Sequence, residues 1–154
     1  MSNIFERADA DAFIARINRL SPATPAQWGK MNVAQMLAHC SRPWDTVFDP
    51  AYARAHPKPN AVVRWLLRQF LKPIVVGPKP YARNSRTAPE FIVSDARDLE
   101  VERKRIIDYI NKTQSLGAAH FEGKESHSFG PLTAAEWSML FGKHLDHHLV
   151  QFGV

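Results

Sequence analysis

Apolar residues recur at three- and four-residue spacings over most of the chain, which is the periodicity of helices with one buried face. In the first such segment the spacing connects Phe5, Ala8, Ala12, Phe13, Ile17 and Leu20. No segment shows the strict alternation of apolar and polar residues that is typical of a half-buried strand. The pattern therefore predicts an all-α bundle of four or five helices.

Capping residues mark where several of these helices begin. Asn32 is followed three positions later by Gln35, the spacing of a capping box that satisfies the free amides of a first helical turn. Thr133 and Glu136 have the same spacing, and Asn60 can cap another helix. The helices that we expect span residues 5–20, 33–48, 61–72, 96–116 and 134–152.

Proline and glycine set the expected breaks between the helices. Pro73 should end or kink the third helix, because proline has no amide hydrogen to donate. Ser94 or Asp95 should begin the fourth helix, and Gly117 should end it. The irregular segment 76–94 is long for a connection in a compact domain, and such segments are usually functional. We consider it a candidate lid.

The length and the cysteine content are typical of a single-domain protein that resides inside a cell. The 154 residues have room for a core of their own, and no change of composition marks a linker, so we expect a single domain over residues 1–154. Cys40 is the only cysteine, which excludes an intramolecular disulfide. The first residues lack the basic start and apolar run of a secretory signal. These features predict a cytoplasmic protein.

The third predicted helix carries a basic stripe beside an apolar face. The basic residues Arg64, Arg68 and Lys72 lie opposite the apolar residues Val63, Leu66, Phe70 and Leu71. These charges interrupt the most apolar stretch of the chain, so we expect no membrane-spanning helix and no stable membrane insertion. Such a stripe is most often the solvated face of a core helix. The alternative is a surface that binds an anionic lipid or an acidic protein.

The overall charge says little about which class of ligand the protein binds. A net charge of +5 favours acidic ligands weakly. The aromatic residues are not interleaved with basic ones in the manner that stacks nucleic acid bases. We therefore expect no nucleic acid as a partner.

Two of the three histidines near the end of the chain share an apolar helix face. The residues at steps of three and four are Trp137, Phe141, His144, His148 and Phe152. A buried histidine needs partners for its ring nitrogens, since a buried unpaired polar group costs about 1–3 kcal/mol. Two histidines four residues apart bring both imidazoles to one point, the spacing of many helical metal sites. His147 lies on the flank of this stripe and suits a helix C-terminus, where the helix dipole favours cations.

A third ligand has to come from another helix, because catalytic zinc sites typically use about three protein ligands. His39 is the best candidate, since it shares one face of the second helix with Met36, Pro43 and Val47. Pro43 leaves the carbonyl of His39 without its helical donor, so this helix should bend or end just past His39. The remaining histidines fall in predicted loops: His56, His120 and His127.

The polar neighbours of these histidines are expected to have structural roles. Asp146 lies two residues from His144 and from His148, roughly 200° around the helix. It should point away from the site and pair with Lys143. Cys40 is expected to be a buried, inert thiol. We assign no general base.

The segments WGKMNVAQMLAHC and GPLTAAEWSMLFGKHLDHHLVQFG resemble the DinB-like (DinB/YfiT) metalloenzyme superfamily, and more closely a branch of it known as a domain of unknown function. The resemblance spans essentially the whole chain. It implies a four-helix bundle with an additional short helix or long loops. The metal ligands of the superfamily fall on His39, His144 and His148, and the divalent ion implied is zinc or nickel.

The resemblance also implies a class of chemistry. Characterised members of the superfamily include transferases and isomerases that use bacillithiol, mycothiol or glutathione. By analogy this chain would be a metal-dependent enzyme that acts on a small-molecule substrate, either as a thiol-dependent S-transferase or as a hydrolase. A low-molecular-weight thiol would be a second cofactor, and the catalytic residues stay unassigned. A homodimer is a common outcome for such helical domains. The competing hypothesis is a non-enzymatic helical module with structural histidines, which binds an anionic lipid or protein through the basic third helix.

Overall fold

The structure is a computed structural model that describes residues 2–154, and most of these residues are in α-helices. The helices are α1 (Arg7–Asn18), α2 (Val33–Phe48), α3 (Pro50–Ala55), α4 (Ala61–Leu66), α5 (Lys72–Val75), α6 (Leu99–Phe121) and α7 (Ala134–Gln151). A π-helical turn (Leu67–Leu71) joins α4 to α5, and a 3₁₀ turn covers Pro89–Phe91. The expectation of a mainly helical fold is confirmed.

The capping residues place three helices where the sequence predicted them. Asn32 caps α2 and Thr133 caps α7, each with the reciprocal hydrogen bonds of a capping box. The Asn60 side chain accepts a hydrogen bond from the amide of Val63 at the start of α4. Caps of this kind stabilise a helix by about 1 kcal/mol each. The starts of these helices therefore follow from local side-chain chemistry.

Helix α6 differs from its predicted start. It begins at Leu99 rather than after Ser94 or Asp95, because the Asp98 carboxylate accepts hydrogen bonds from the first free amides of the helix. The predicted break at Gly117 is present, since its φ of 74° and ψ of 170° are not helical and divide α6 into two helical parts. Glycine adopts this left-handed conformation without steric cost. The chain kinks there and continues to Phe121, whose ring is buried in the core.

Two prolines lie in helical segments that continue past them, where the sequence predicted either an end or a bend. Helix α2 continues past Pro43 to Phe48, where packing of the buried residues around the proline offsets the lost hydrogen bond. Pro73 lies in the first turn of α5, where its missing amide hydrogen is not needed, and the distortion falls in the π-helical turn before it. Gly77 follows closely, and a Cβ there would lie 2.1 Å from the carbonyl oxygen of Pro73.

A short β-hairpin replaces part of the loop expected between the last two long helices. Strand β1 (Lys124–Ser126) pairs antiparallel with β2 (Gly130–Leu132). The Ser126 hydroxyl closes the turn by donating to the carbonyl of Gly130, at 2.8 Å. Each strand has only three residues, which is too short for an alternating pattern to stand out in the sequence.

The core lies between α1, α2, α6 and α7. Helices α2, α6 and α7 contact one another, and α1 packs on α6 and α7. The Trp44 ring stacks on that of Phe141, with centroids 4.5 Å apart. The Trp44 indole nitrogen donates to the hydroxyl of Thr113 at 2.9 Å. One aromatic side chain of α2 therefore contacts both α6 and α7.

The segment from α4 to α5 exposes most of its large apolar side chains, and of its three stripe residues Arg68 is solvated as expected while Arg64 and Lys72 face the protein. Arg64 forms an ion pair with Glu125 at 2.6 Å, and Lys72 forms one with Glu136 at 2.7 Å. The Phe70 side chain, in contrast, is 70% exposed. The two ion pairs hold the basic side against the rest of the protein. Within residues 2–154, no helix is both long and apolar enough to cross a bilayer.

A buried charge network joins α2 to α6. Asp45 is fully buried and pairs with the guanidinium groups of Arg42 and Arg105. The Tyr109 hydroxyl also donates to Asp45, at 2.9 Å. Burial, together with the Asp45 charge, raises the pKa of Tyr109 to about 12. A buried carboxylate is tolerated only when it is paired in this way.

Replacing Asp45 by alanine should destabilise the fold strongly. Asp45→Ala removes the buried carboxylate that Arg42, Arg105 and Tyr109 share and leaves Arg105 only its pair with Glu102. Breaking such a buried network costs about 3 kcal/mol. Urea unfolding followed by circular dichroism measures the change. The matched control is Asp108→Ala, which removes an exposed pair with Lys104 and should cost less than about 1 kcal/mol. Equal losses in the two variants would contradict a structural role for the buried network.

Candidate metal centre

Three histidines from two helices meet between α2 and α7. His39 lies on α2, and His144 and His148 lie one turn apart on α7. One ring nitrogen of each falls within 4.8 Å of the others, and the Nε2 atoms of His39 and His144 are 2.9 Å apart. The structure thus brings together the three residues that the sequence selected.

Hydrogen bonds to carbonyl oxygens fix the protonation of two of the rings. The Nδ1 atom of His39 lies 2.9 Å from the backbone carbonyl of Phe91, and that of His148 lies 2.7 Å from the side-chain oxygen of Gln151. A carbonyl oxygen only accepts, so in the neutral rings the proton sits on Nδ1. The Nε2 lone pairs of both histidines are then free to bind a metal.

The Gln151 side chain is held in the required orientation. Its amide nitrogen donates to the backbone carbonyl of Trp28, at 2.6 Å. The amide oxygen therefore faces His148. Through this hydrogen bond, Trp28 in the segment before α2 helps to orient the side chain that contacts His148.

His144 is the ring with an unmet hydrogen-bonding need. In the described part of the chain its Nδ1 is buried and has no hydrogen-bond partner, although the residue as a whole is partly exposed. Its Nε2 faces the Nε2 of His39. Because the proton of neutral His39 is on Nδ1, a neutral His144 ring can donate from Nε2 to His39, and its own Nδ1 then stays without a partner. The surrounding protein groups therefore do not satisfy all the ring nitrogens of the three histidines.

The surroundings favour the neutral form of all three histidines. Burial lowers the pKa of His148 to about 3, with a further contribution from His39. Burial also lowers the pKa of His39 and, with the neighbouring histidines, holds that of His144 well below its usual value. Neutral imidazole is the form that ligates metal ions.

The segment 76–94, expected as a lid, touches the site at two points. The Tyr81 ring lies 6.4 Å from that of His144, and the Phe91 ring lies 6.5 Å from that of His39. Phe91 also provides the carbonyl that orients His39. Two aromatic side chains of this segment therefore lie beside the histidines.

Lys143 fastens this segment instead of pairing with Asp146 as expected. Its ammonium group donates to the backbone carbonyls of Ile74, Gly77 and Lys79, at 2.7, 2.6 and 3.0 Å. Asp146 instead binds an arginine of α1, at 2.6 Å. The expected pair was wrong because each side chain has partners elsewhere in the chain. Partial burial lowers the pKa of Lys143.

The other histidines remain outside the cluster. His147 lies on its flank, where its ring contacts Trp28 and Tyr81 at centroid distances of 5.7 and 5.6 Å. His127 and His56 are not part of the cluster and contact each other instead. The Nε2 atom of His127 lies 3.0 Å from the backbone carbonyl oxygen of His56. His120 packs against Phe121 on α6.

Cys40 is buried, and burial raises the pKa of its thiol far above the usual value, as expected for an inert group.

Two orienting groups were missed in the sequence. Gln151 lies three residues after His148 on the same helix, so its spacing was a usable signal. Phe91 contributes a backbone carbonyl from an irregular segment, and no residue type identifies such a group.

Comparisons with known proteins give a family and no described function. The model of the family described as Protein of unknown function (DUF1569) matches residues 4–153, a range that includes all three histidines. No curated protein and no solved structure matches the chain significantly.

Removing the Lys143 ammonium group should loosen the segment over the site. Lys143→Met deletes hydrogen bonds to three carbonyls, and bonds from charged donors contribute roughly 1.5 kcal/mol or more each when shielded. We expect tryptic cleavage after Arg83 and Arg86 to accelerate by roughly tenfold, as measured by mass spectrometry over a digestion time course. Lys104→Met removes an exposed lysine from α6 and is the control. Unchanged cleavage in Lys143→Met would show that this lysine does not hold the segment.

Proposed function

We propose that His39, His144 and His148 hold a divalent metal ion and that the protein is a metal-dependent enzyme. The chain belongs to the family described as Protein of unknown function (DUF1569). The observation that carries the proposal is the convergence of three neutral imidazoles from two helices within 4.8 Å. Such convergence of polar rings in a protein interior is costly unless a shared ligand satisfies them.

The donor set fits a transition-metal ion. Imidazole nitrogens suit zinc and nickel, and calcium or magnesium would require oxygen ligands. Two of the rings have carbonyl partners on their outer nitrogens, the arrangement that orients histidine ligands in metal sites. Three protein ligands leave room for water or substrate on the ion, as catalytic sites require. Zinc or nickel is therefore the proposed cofactor.

The arrangement of the long helices supports a place in the DinB-like superfamily. Helices α1, α2, α6 and α7 enclose one core, and the histidines lie on the second and the last of these four. A DinB/YfiT-type four-helix bundle would have this distribution of ligands, with α3 and the segment from α4 to α5 as additions. The single domain over residues 1–154, the cytoplasmic location and the homodimer stay predictions.

The proposed reaction is a thiol-dependent S-transfer or a hydrolysis on a small molecule. When bound, a divalent metal lowers the pKa of a coordinated thiol or water and so supplies a nucleophile near neutral pH. The residues of this chain bind the ion, hold the rings in place and limit access of water. Arg83, whose guanidinium lies 4.4 Å from the Trp28 ring centroid, contributes positive charge near His147. That charge favours an anionic thiol or substrate.

The competing proposal, a non-enzymatic module that binds through the basic stripe, has less support. Arg64 and Lys72 are engaged in ion pairs with Glu125 and Glu136. Only Arg68 of the three stripe residues is without a partner in residues 2–154. Two of the three stripe residues are therefore paired within the protein rather than free to bind an anionic partner.

Metal analysis of the untagged protein tests the proposal. The wild-type protein should bind close to one equivalent of metal by mass spectrometry of the metal content, and His39→Ala or His144→Ala should lose most of it. His147→Ala is the matched control, since it removes a histidine of the same helix that lies outside the cluster. Wild-type protein that stays metal-free after incubation with zinc and with nickel would contradict the proposal.

The orienting role of Gln151 provides a second test. Gln151→Leu removes the acceptor of His148, and loss of such a partner typically lowers metal affinity by about 10–100-fold. Competition with a chromogenic chelator measures the affinity, and circular dichroism confirms that the variant is folded. Gln114→Leu, on the surface of α6, should leave the affinity unchanged. An unchanged affinity in Gln151→Leu would remove this residue from the site.

A further inference from the structure

Positive charge is concentrated in one part of the chain. The segment Pro50–Pro89 contains no aspartate or glutamate and eight lysines and arginines. The rest of the chain has three more acidic than basic residues. The net charge of +5 therefore arises entirely from this segment.

The same segment exposes most of the apolar surface. Of the eleven large apolar side chains that are exposed in residues 2–154, seven lie between Val62 and Ile74. Val62 and Phe70 are each 70% exposed, and Trp65 and Ile74 are each 59% exposed. Isolated exposed apolar residues are ordinary, but a contiguous group of this kind marks an interaction site.

The orientation of this surface is fixed by the protein itself. The ion pairs of Arg64 with Glu125 and of Lys72 with Glu136 lie on the inner side of the helical segment. The apolar side chains consequently cannot turn inward without breaking both pairs. The surface is presented to solvent in the folded state.

We propose that the outer face of the segment from α4 to α5, which we call the apolar face, binds the surface of an anionic lipid bilayer. Tryptophan and phenylalanine are the side chains that favour the interface between headgroups and acyl chains. Exposed cations adjoin this face in sequence, namely Arg54, Arg68, Lys79 and Arg86. Apolar insertion combined with basic residues is the usual pairing of signals in peripheral membrane binding.

Charge complementarity selects the bilayer over a second copy of the chain. Two copies joined through this face about a two-fold axis would bring their basic segments together. Like charges across an interface oppose association. A bilayer rich in phosphatidylglycerol presents negative charge to the same residues.

The apolar face adjoins the candidate metal centre. Lys143, the residue before His144, binds the carbonyls of Ile74 and Gly77 at the end of the segment. A bilayer bound at the apolar face would therefore lie beside the segment that covers the histidines. The membrane proposal itself does not depend on the proposed metal or on any enzymatic activity.

Vesicle flotation with the full chain tests the proposal. The protein should float with vesicles of phosphatidylcholine and phosphatidylglycerol, and binding to phosphatidylcholine alone should be much weaker. High salt should reduce the binding, because it screens the electrostatic attraction. The Trp65 emission should shift to the blue on binding, and Trp65→Phe should remove most of that shift while the protein still floats.

Matched variants separate the two contributions. The double variant Trp65→Ser with Phe70→Ser should lower partitioning by about tenfold or more, since it removes two inserted aromatic side chains. Arg68→Gln should lower it by about fivefold, the effect expected for one basic residue at an anionic surface. Val101→Ser removes an apolar residue that is 62% exposed on α6, and Arg19→Gln removes an exposed cation elsewhere; both should leave binding unchanged.

Three outcomes would overturn the proposal. The first is no flotation with anionic vesicles at low salt. The second is flotation that the Trp65 and Phe70 substitutions do not weaken. The third is a concentration-dependent dimer in light scattering that the same double variant abolishes, which would assign the apolar face to a second copy of the chain.

Discussion

The contact between Trp44 and Phe141 fixes the register of α2 against α7, and the candidate site depends on that register. The two rings are nearly parallel, with an interplanar angle of 6°. Trp44 lies five residues after His39, and Phe141 lies three residues before His144. Since each helix is rigid over this distance, locking the rings also sets the separation of the imidazoles. A displacement of α7 by one turn would separate His144 from His39 by about 5 Å more.

Much of the helical framework could be predicted because it is determined by local chemistry. The capping boxes of Asn32 and Thr133 gave the starts of α2 and α7 correctly. The inward position of His39, His144 and His148 followed from the apolar residues that share their helix faces. Periodicity is informative there because these helices bury one face in a single core. The start of α6 was misplaced, since Ser94, Asp95 and Asp98 are all competent caps and the sequence does not rank them.

What could not be predicted depends on contacts between distant parts of the chain. The partners of Lys143 are backbone carbonyls of an irregular segment, so no residue type identifies them in advance. The same holds for the carbonyl of Phe91 that orients His39. The outward apolar face is a further case. An amphipathic pattern shows that a helix has an apolar and a polar side, but not which of them faces the protein. Here the ion pairs with Glu125 and Glu136 turn the basic side inward.

The segment over the site places a physical limit on any ligand larger than an ion or a water molecule. Tyr81 and Phe91 lie beside the rings of His144 and His39, so such a ligand would contact this segment on reaching the histidines. Lys143 opposes movement of this segment through its hydrogen bonds to carbonyls, and its position next to His144 joins the restraint to the site directly. Phe91 adds a second link, because displacing its carbonyl also frees the His39 ring to rotate. The immediate surroundings of the histidines and the orientation of His39 therefore depend on the same segment, so a movement of that segment would alter both.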